Sequence, residues 1–211
     1  MSNVGRIIQD NACVAEGAAY LALIEPRFAA ALEATGPLPL RLRDDGFAAL
    51  LSAIVSQQVS VASARAIWAR LEAAKLTGPR KVKAASEDDL RACGLSRQKI
   101  RYAHELANAG ISFPKLRTTP TEQVVERLVV VPGIGKWTAE IYAMFSLGRA
   151  DVFAPGDLAL QEAARIIFEM PKRPTEKELR VLSEDWAPWR AVAARLLFAY
   201  YHVAKDREGI R

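Results

Sequence analysis

Two stretches with helical periodicity are joined by the sequence VPGIGKW, residues 131–137. Its two glycines, Gly133 and Gly135, permit positive φ angles and let another molecule come close to the backbone. The helix that follows begins with N–H groups outside the helical hydrogen-bond ladder, and these donors, the helix dipole and the charge of Lys136 favour an anion. The segment therefore predicts a binding site for one backbone phosphate. A tight turn that uses glycine only for its geometry is the alternative.

Helical periodicity extends over most of the chain. Its apolar stripes are Phe47/Leu50/Leu51/Ile54/Val55, Val61/Ala64/Trp68/Leu71, Trp137/Ile141/Met144/Phe145, Leu160/Ala163/Ala164/Ile167/Phe168 and Val192/Leu196/Tyr200/Val203. Residues 124–131 are rich in β-branched side chains and could form a strand, but with no partner strand in view we interpret them as helix. The sequence therefore predicts an all-α fold of about ten short helices.

Short capping patterns mark the helix starts. Residues 175–178 form a capping box and residues 86–89 resemble one. Residues 119–122 combine a capping threonine, a proline at the first helical position and a glutamate at the third. Residues 15–34 follow a helical pattern that Pro26 should break or kink.

The composition is that of an ordinary globular protein. Hydrophobic residues make up 51% and charged residues 25% of the 211, which excludes a disordered chain, a collagen and a coiled coil. No apolar run approaches the roughly 18 residues that a membrane span requires, and the N-terminus lacks the apolar region of a signal peptide. We therefore expect a cytoplasmic protein with no membrane partner.

Charge and cysteine content limit the possible partners and cofactors. The net charge of +5 fits a nucleic-acid partner, although many enzymes without one are equally basic. Cys13 and Cys93 are 80 positions apart, and only His104 and His202 could join them as ligands. A zinc site or an iron–sulfur cluster is therefore not expected.

Five segments, in this order, resemble one protein superfamily. They are AIVSQQVS (53–60), GLSRQK (94–99), LVVVPGIGKW (128–137), VFAPGD (152–157) and WAPWR (186–190). They resemble the IxxQQxS signature, the GLSxxK loop, the helix-hairpin-helix, the Pro-rich loop ending in aspartate and the WxPWR motif of the helix-hairpin-helix (HhH-GPD) DNA glycosylases. The most similar branch is that of 3-methyladenine DNA glycosylase II, the AlkA type. The resemblance covers about residues 46–201.

The resemblance implies two helical lobes with a helix-hairpin-helix motif and the active-site cleft between the lobes. Residues 46–145 would form a central helical domain that carries the hairpin. Residues 1–45 and 146–211 would form a second helical domain that carries the catalytic aspartate. We expect no room for the extra N-terminal β-rich domain of longer relatives. The expected partner is double-stranded DNA containing a damaged base, bound by a monomer associated with the bacterial nucleoid.

The resemblance places the catalytic carboxylate at Asp157. A fixed carboxylate stabilises the cationic, oxocarbenium-like state of N-glycosidic bond cleavage and can orient or deprotonate a water. An aspartate after Pro-Gly and before a helical stretch is also an ordinary N-cap, and the two roles can coexist. Asp151 lies nearby but matches no catalytic position.

Bifunctional glycosylase-lyases of the superfamily resemble G-x-K at the place of residues 135–137, and their lysine forms a Schiff base with the sugar. In this sequence Trp137 occupies the position of that lysine. An indole cannot attack the sugar, so the resemblance implies a monofunctional enzyme that uses water. It also implies a base pocket of Trp137, Ile141 and either Trp186 or Trp189, in which aromatic rings attract cationic alkylated purines. Core packing is the alternative for each tryptophan.

Seven residues are candidates for DNA contact: Gln57, Gln58, Arg97, Lys99, Gly133, Gly135 and Lys136. Gln58 matches the position that fills the gap left by an extruded base. Helix capping is the alternative for the two glutamines, and a solvated charged surface for Arg97 and Lys99. The backbone carbonyls of Val129, Val131 and Ile134 match positions that hold a monovalent cation, Na⁺ or K⁺, in the family. No other cofactor is expected.

These inferences predict a DNA glycosylase that flips out and excises alkylated purines of the 3-methyladenine and 7-methylguanine type in base excision repair. A glycosylase for etheno bases, deaminated bases or uracil is the alternative within this class. A non-catalytic helix-hairpin-helix module that only binds DNA is the alternative from another class. Asp157 argues against that module, because a carboxylate near phosphates weakens binding.

Overall fold

The computed structural model describes residues 4–208, with side chains up to Lys205. Over this range the secondary-structure elements are helices, and an isolated antiparallel β-bridge joins Ile7 and Arg149. The α-helices of the described chain are α1 Asn11–Ile24, α2 Pro26–Thr35, α3 Phe47–Ser56, α4 Val61–Ala73, α5 Pro79–Ala84, α6 Glu87–Ala92, α7 Arg97–Asn108, α8 Phe113–Leu116, α9 Thr121–Val129, α10 Lys136–Phe145, α11 Leu158–Ile167, α12 Glu176–Leu182 and α13 Arg190–Glu208. A 3₁₀ turn, Ser183–Trp186, precedes α13. The predicted all-α fold is confirmed.

Local side-chain chemistry sets most helix starts. Both capping boxes, at Ser86 and at Thr175, are present. The break at Pro26 is also present, because α1 ends at Ile24 and α2 begins at Pro26 with Glu25 as its N-cap. The pattern at residues 119–122 was wrong by one position, since α9 begins at Thr121 with Pro120 as its N-cap. Residues up to Val129 are helical, as predicted, and do not form a strand.

Residues Arg43–Tyr142 form one compact unit of the described chain. Within it α7 packs against α3, α5 and α6, and α3 packs against α4. Tyr142 also fixes the start of α3, because its hydroxyl oxygen accepts the N–H of Gly46 at 2.9 Å. This unit ends at Tyr142, within α10.

Residues 4–42 and the chain from residue 143 onward form the second unit. In this unit α13 packs against α1, α2 and α11. An aromatic cluster fills its core: the ring of Trp186 stacks on Phe168, with centroids 5.9 Å apart, and meets Phe28 and Phe153 edge-on at 5.2 and 5.3 Å.

The apolar stripe predicted for α4 was wrong at Val61 and Trp68. Val61 is 70% exposed and Trp68 is half-buried, whereas Ile67 and Leu71 are the buried side chains of this helix. Ile67 and Trp68 differ by one position, or about 100° around a helix, so a small error in the assumed face exchanges one for the other. The Trp68 indole N–H instead donates to the Glu72 carboxylate at 2.9 Å.

No helix between residues 4 and 208 is both long and apolar enough to cross a membrane.

Candidate functional site

The loop between α9 and α10, residues 130–135, is called the hairpin loop below. Gly133 in this loop has a φ of +93°, and a Cβ at this position would lie 2.4 Å from Cγ of Tyr102. Gly135 has no such angle, and a Cβ there would meet no atom within 4 Å. The expectation of positive φ at both glycines therefore holds only for Gly133. Gly133 is required by the fold, whereas Gly135 leaves its outer side open to a ligand.

The first two residues of α10 are accessible to solvent. Lys136 is exposed and the side chain of Trp137 is 44% exposed. Ile141, one turn further, is half-buried. A helix start with a neighbouring lysine has donors and a charge that suit an anion, and phosphate binding here stays a prediction.

Residues Gln57–Val59, called the Gln-Gln turn below, follow α3 directly. Gln58 is exposed and adopts a φ of +56°, which is uncommon for a residue other than glycine. The Gln57 amide instead points into the protein and donates to the Gly133 carbonyl at 2.9 Å. Two neighbouring glutamines therefore differ in role: one ties the turn to the hairpin loop and the other projects from it.

Three of the predicted segments line one cleft of about 630 Å³ within the Arg43–Tyr142 unit. The Gln-Gln turn, the loop around Gly94 and Ser96, and residues 129–135 contribute its walls, and Tyr102 lies among them. Segments that are far apart in sequence thus meet at one open surface that exposes backbone and amide groups.

Asp157 occupies the N-cap of α11 in the other unit. Its Oδ1 accepts the N–H groups of Ala159 at 2.9 Å and Leu160 at 3.2 Å, and the residue is half-buried. Gln161 supports the preceding loop by donating to the Pro155 carbonyl at 2.8 Å. The capping role is therefore present, and it orients the carboxylate without sealing it in the core.

The sequence model of the family described as HhH-GPD superfamily base excision DNA repair protein matches residues 51–188. The chain belongs to this superfamily. The HhH-GPD protein is 33% identical to DNA-3-methyladenine glycosylase 1 of Schizosaccharomyces pombe over 171 residues, which is 77% of this chain and 75% of that relative. The resemblance seen in the sequence is confirmed.

Solved structures of the superfamily share the fold. A DNA-3-methyladenine glycosidase from Bacillus halodurans superposes with a TM-score of 0.79 at 31% identity, covering 89% of each chain. A 3-methyladenine DNA glycosylase from Schizosaccharomyces pombe, in complex with abasic DNA, gives a TM-score of 0.72 at 28% identity. That superposition covers 86% of the HhH-GPD protein and 95% of the other chain.

Trp186 and Trp189 do not have the exposure that a base pocket requires. Trp186 is 2% exposed within the aromatic cluster described above. Trp189 is 4% exposed and lies against Gly17, where a Cβ would approach its ring to 2.7 Å. Trp186 and Trp189 are therefore core residues of the HhH-GPD protein, and a ring that is already covered by neighbours cannot stack on a base. Trp137 and Ile141 remain as the accessible part of the predicted pocket.

Lys99 was also placed incorrectly on the DNA-contacting surface. Lys99 is only 9% exposed, and its ammonium donates to the Val55 carbonyl at 2.6 Å. Burial lowers the pKa of this lysine. Arg97 is exposed at the start of α7, as a phosphate contact requires.

Tyr102 was missed in the sequence. It lies three residues after Lys99 on α7, so the two share one helix face, and its ring supports Gly133 in the hairpin loop. The GLSxxK segment ends before this residue, and only a helical projection extended by one turn would have identified it.

Proposed function

We propose that this HhH-GPD protein is a monofunctional DNA glycosylase that extrudes alkylated purines, hydrolyses their N-glycosidic bond and leaves an abasic site. The observation that carries the proposal is the state of Asp157, whose carboxylate is oriented at a helix start and only half-buried. Similar proteins that are named 3-methyladenine glycosylases support the substrate class.

The proposed chemistry centres on the sugar of the extruded nucleotide. As the bond to the base breaks, positive charge develops on the sugar, and a carboxylate that is already fixed stabilises that charge without reorganising. The two N–H donors of α11 fix Asp157 through Oδ1. Asp157 then stabilises the cation and orients the water that attacks the sugar.

The first turn of α10 supplies no nucleophile at the position of the lyase lysine. Trp137 stands there, and Lys136 carries an ammonium one residue earlier. The exposed indole can stack on an extruded base and attract its positive charge, a contribution of roughly 0.5–2 kcal/mol. A cationic purine is already a good leaving group, so stacking and a carboxylate suffice for its release.

DNA is the partner of proteins in this superfamily, as in the complex of the fission yeast relative with abasic DNA. We further propose that the HhH-GPD protein acts as a monomer on duplex DNA with one damaged base, in the cytoplasm at the nucleoid. The hairpin loop and Lys136 would bind one phosphate, and Gln58 would fill the gap left by the extruded base. The exposure of Gly135, Lys136 and Gln58 supports these assignments.

A monovalent cation at the hairpin loop is a further part of the proposal. Carbonyl oxygens suit Na⁺ or K⁺, and Val129, Val131 and Ile134 all lie at the end of α9 or in the loop. The Val131 carbonyl already accepts the N–H of Ile134 at 3.0 Å, which leaves it one lone pair. Replacing K⁺ by tetramethylammonium at constant ionic strength should weaken DNA binding if the cation is present.

A duplex with a single 7-methylguanine tests the central proposal. After incubation with the protein, strand cleavage should occur only upon treatment with hot alkali, which breaks the chain at an abasic site. Cleavage without alkali would indicate a lyase. Release only from etheno, hypoxanthine or uracil duplexes would favour the alternative substrate class, and binding without release from any of them would favour a non-catalytic module.

The variant Asp157→Asn tests the residue assignment. Asparagine also caps helices, so the variant should fold and bind DNA normally while losing most base release. Base release close to that of the wild type would refute the assignment of Asp157.

A further inference from the structure

Helix α7 contacts the hairpin loop and the end of α3, which leads into the Gln-Gln turn. Its residues Lys99 and Tyr102 lie on one face, since they are three positions apart. Lys99 reaches the end of α3 just before the Gln-Gln turn, and Tyr102 lies beneath Gly133 of the hairpin loop. A single helix thus supports the hairpin loop and the start of the Gln-Gln turn.

The Lys99 ammonium is committed to the protein interior. It donates to the carbonyl of Val55, which is one of the last four of α3 and therefore lacks a helical partner. The carboxyl end of a helix carries partial negative charge, so a buried cation is best placed there. Val55 lies two residues before Gln57, and the bond therefore fixes the point at which the Gln-Gln turn begins.

The hairpin loop is held at Gly133 from two sides. The ring of Tyr102 lies so close that a Cβ on Gly133 would overlap it, at 2.4 Å from Cγ. The amide of Gln57 donates to the Gly133 carbonyl at 2.9 Å. Gln98 in turn donates to the Tyr102 hydroxyl at 2.6 Å, which fixes the ring.

We propose that Gln57, Lys99 and Tyr102 are positioning residues that hold the Gln-Gln turn and the hairpin loop in a fixed register. This inference rests on the proposed function, in which the hairpin loop binds a phosphate and Gln58 enters the duplex. Phosphates and base steps are spaced regularly along DNA, so a protein that binds one phosphate must insert its side chain at a set distance from it. The bonds of Gln57 and Lys99 set that distance, although neither residue contacts DNA.

The test uses Gln57→Ala and Lys99→Met, which remove the two polar contacts and keep the rest of the surface. Matched controls are Gln123→Ala on α9 and Lys115→Met on α8, both exposed and outside the cleft. Each protein is titrated with an undamaged duplex and with the same duplex carrying one tetrahydrofuran abasic analogue. Base release from a 7-methylguanine duplex is measured under single-turnover conditions with saturating protein.

Both test variants should keep the wild-type affinity for undamaged DNA within about twofold, because charge dominates that binding. Their preference for the abasic duplex should fall by about tenfold or more. The single-turnover rate of base release should fall similarly, since a reacting group misplaced by about 1 Å can lower a rate about a hundredfold. The controls should match the wild type. Lys99→Arg should recover part of the preference, because a guanidinium can also donate to the Val55 carbonyl.

An unchanged abasic preference in Gln57→Ala and Lys99→Met would overturn the inference, as would equal losses on damaged and undamaged DNA. A wild type without abasic preference would also overturn it. If Lys99→Met does not fold, as judged by its circular dichroism spectrum, Gln57→Ala decides the question alone. The binding ratio needs no catalysis, so a protein that releases no base at all would refute the proposed function while leaving this measurement informative.

Discussion

Replacing Gly133 by alanine should destabilise the protein far more than the same change at Gly135. At Gly133 the φ of +93° costs an L-residue roughly 1–3 kcal/mol. The new Cβ would also lie 2.4 Å from the Tyr102 ring, more than 1 Å inside ordinary carbon contact, and overpacking of this kind costs about 1–3 kcal/mol. The sum, about 2–6 kcal/mol, is a large part of a typical stability of about 5–15 kcal/mol.

Gly135→Ala provides the matched control. A Cβ there meets no atom within 4 Å and the φ is not positive, so the free energy of unfolding should change by less than about 1 kcal/mol. Under the proposed function the added methyl would lie in the path of the bound phosphate, and DNA affinity should fall by about tenfold. The two glycines thus separate stability from binding.

Urea unfolding followed by tryptophan fluorescence gives the stabilities, and fluorescence anisotropy with labelled duplex gives the affinities. The double variant Gly133→Ala/Tyr102→Ala should recover the part of the stability loss that comes from overlap with the Tyr102 ring. It should keep the part that comes from the positive φ of residue 133. Equal stabilities of Gly133→Ala and Gly135→Ala would refute this reasoning, as would a double variant whose losses simply add.

Four further predictions follow from single side chains. Burial raises the pKa of Tyr142 from 10.0 to about 12, so between these pH values the native state keeps a proton that the unfolded chain loses. The free energy of unfolding should therefore fall by roughly 1–2 kcal/mol as the pH rises from 10 to 12, after a discount for solvent screening. Urea unfolding at each pH should show that Tyr142→Phe removes this part of the pH dependence. Asp157→Ala should cost about 1 kcal/mol in urea unfolding through the lost cap, whereas Asp157→Asn should cost little; a larger loss in the asparagine variant would contradict the capping geometry. Trp186→Ala should lower the free energy of unfolding by about 3–5 kcal/mol, whereas Trp137→Ala should lower it by less and should reduce base release; the opposite ranking of the two stability losses would contradict the burial of these tryptophans. Gln58→Gly should stabilise the protein by up to about 1 kcal/mol, because it relieves a positive φ, and should reduce excision from duplex DNA; an unstabilised variant in thermal denaturation would argue against strain at this residue.

The helical fold could be predicted from the sequence because its signals are local. Apolar periodicity, the capping boxes at Ser86 and Thr175 and the break at Pro26 each depend on a few neighbouring residues, and the structure contains all of them. The order of the motifs sufficed to identify the superfamily. Local information failed where two adjacent positions could each face the core, as in α4 with Ile67 and Trp68.

Burial could not be predicted for residues whose environment comes from distant segments. Trp186 resembles Trp137 in the sequence, since both are aromatic residues within a motif, yet Phe28 and Phe153 bury Trp186 whereas Trp137 is 44% exposed. Lys99 has the charge of a phosphate ligand, but a carbonyl 44 positions earlier in the chain takes its ammonium. Such outcomes depend on tertiary contacts, which periodicity does not encode.

The Gln-Gln turn shows why identical neighbours need not share a function. Gln58 has a positive φ and is exposed, whereas Gln57 just before it is half-buried. Gln57 is then satisfied by the Gly133 carbonyl, and only Gln58 has an amide on the exposed side. A strained backbone angle at the tip is tolerated because α7 and the hairpin loop hold the residue before it. The contacts of Gln57 and Lys99 therefore stabilise the segment around an unfavourable backbone angle, and under the proposed function that angle would present Gln58 to the duplex.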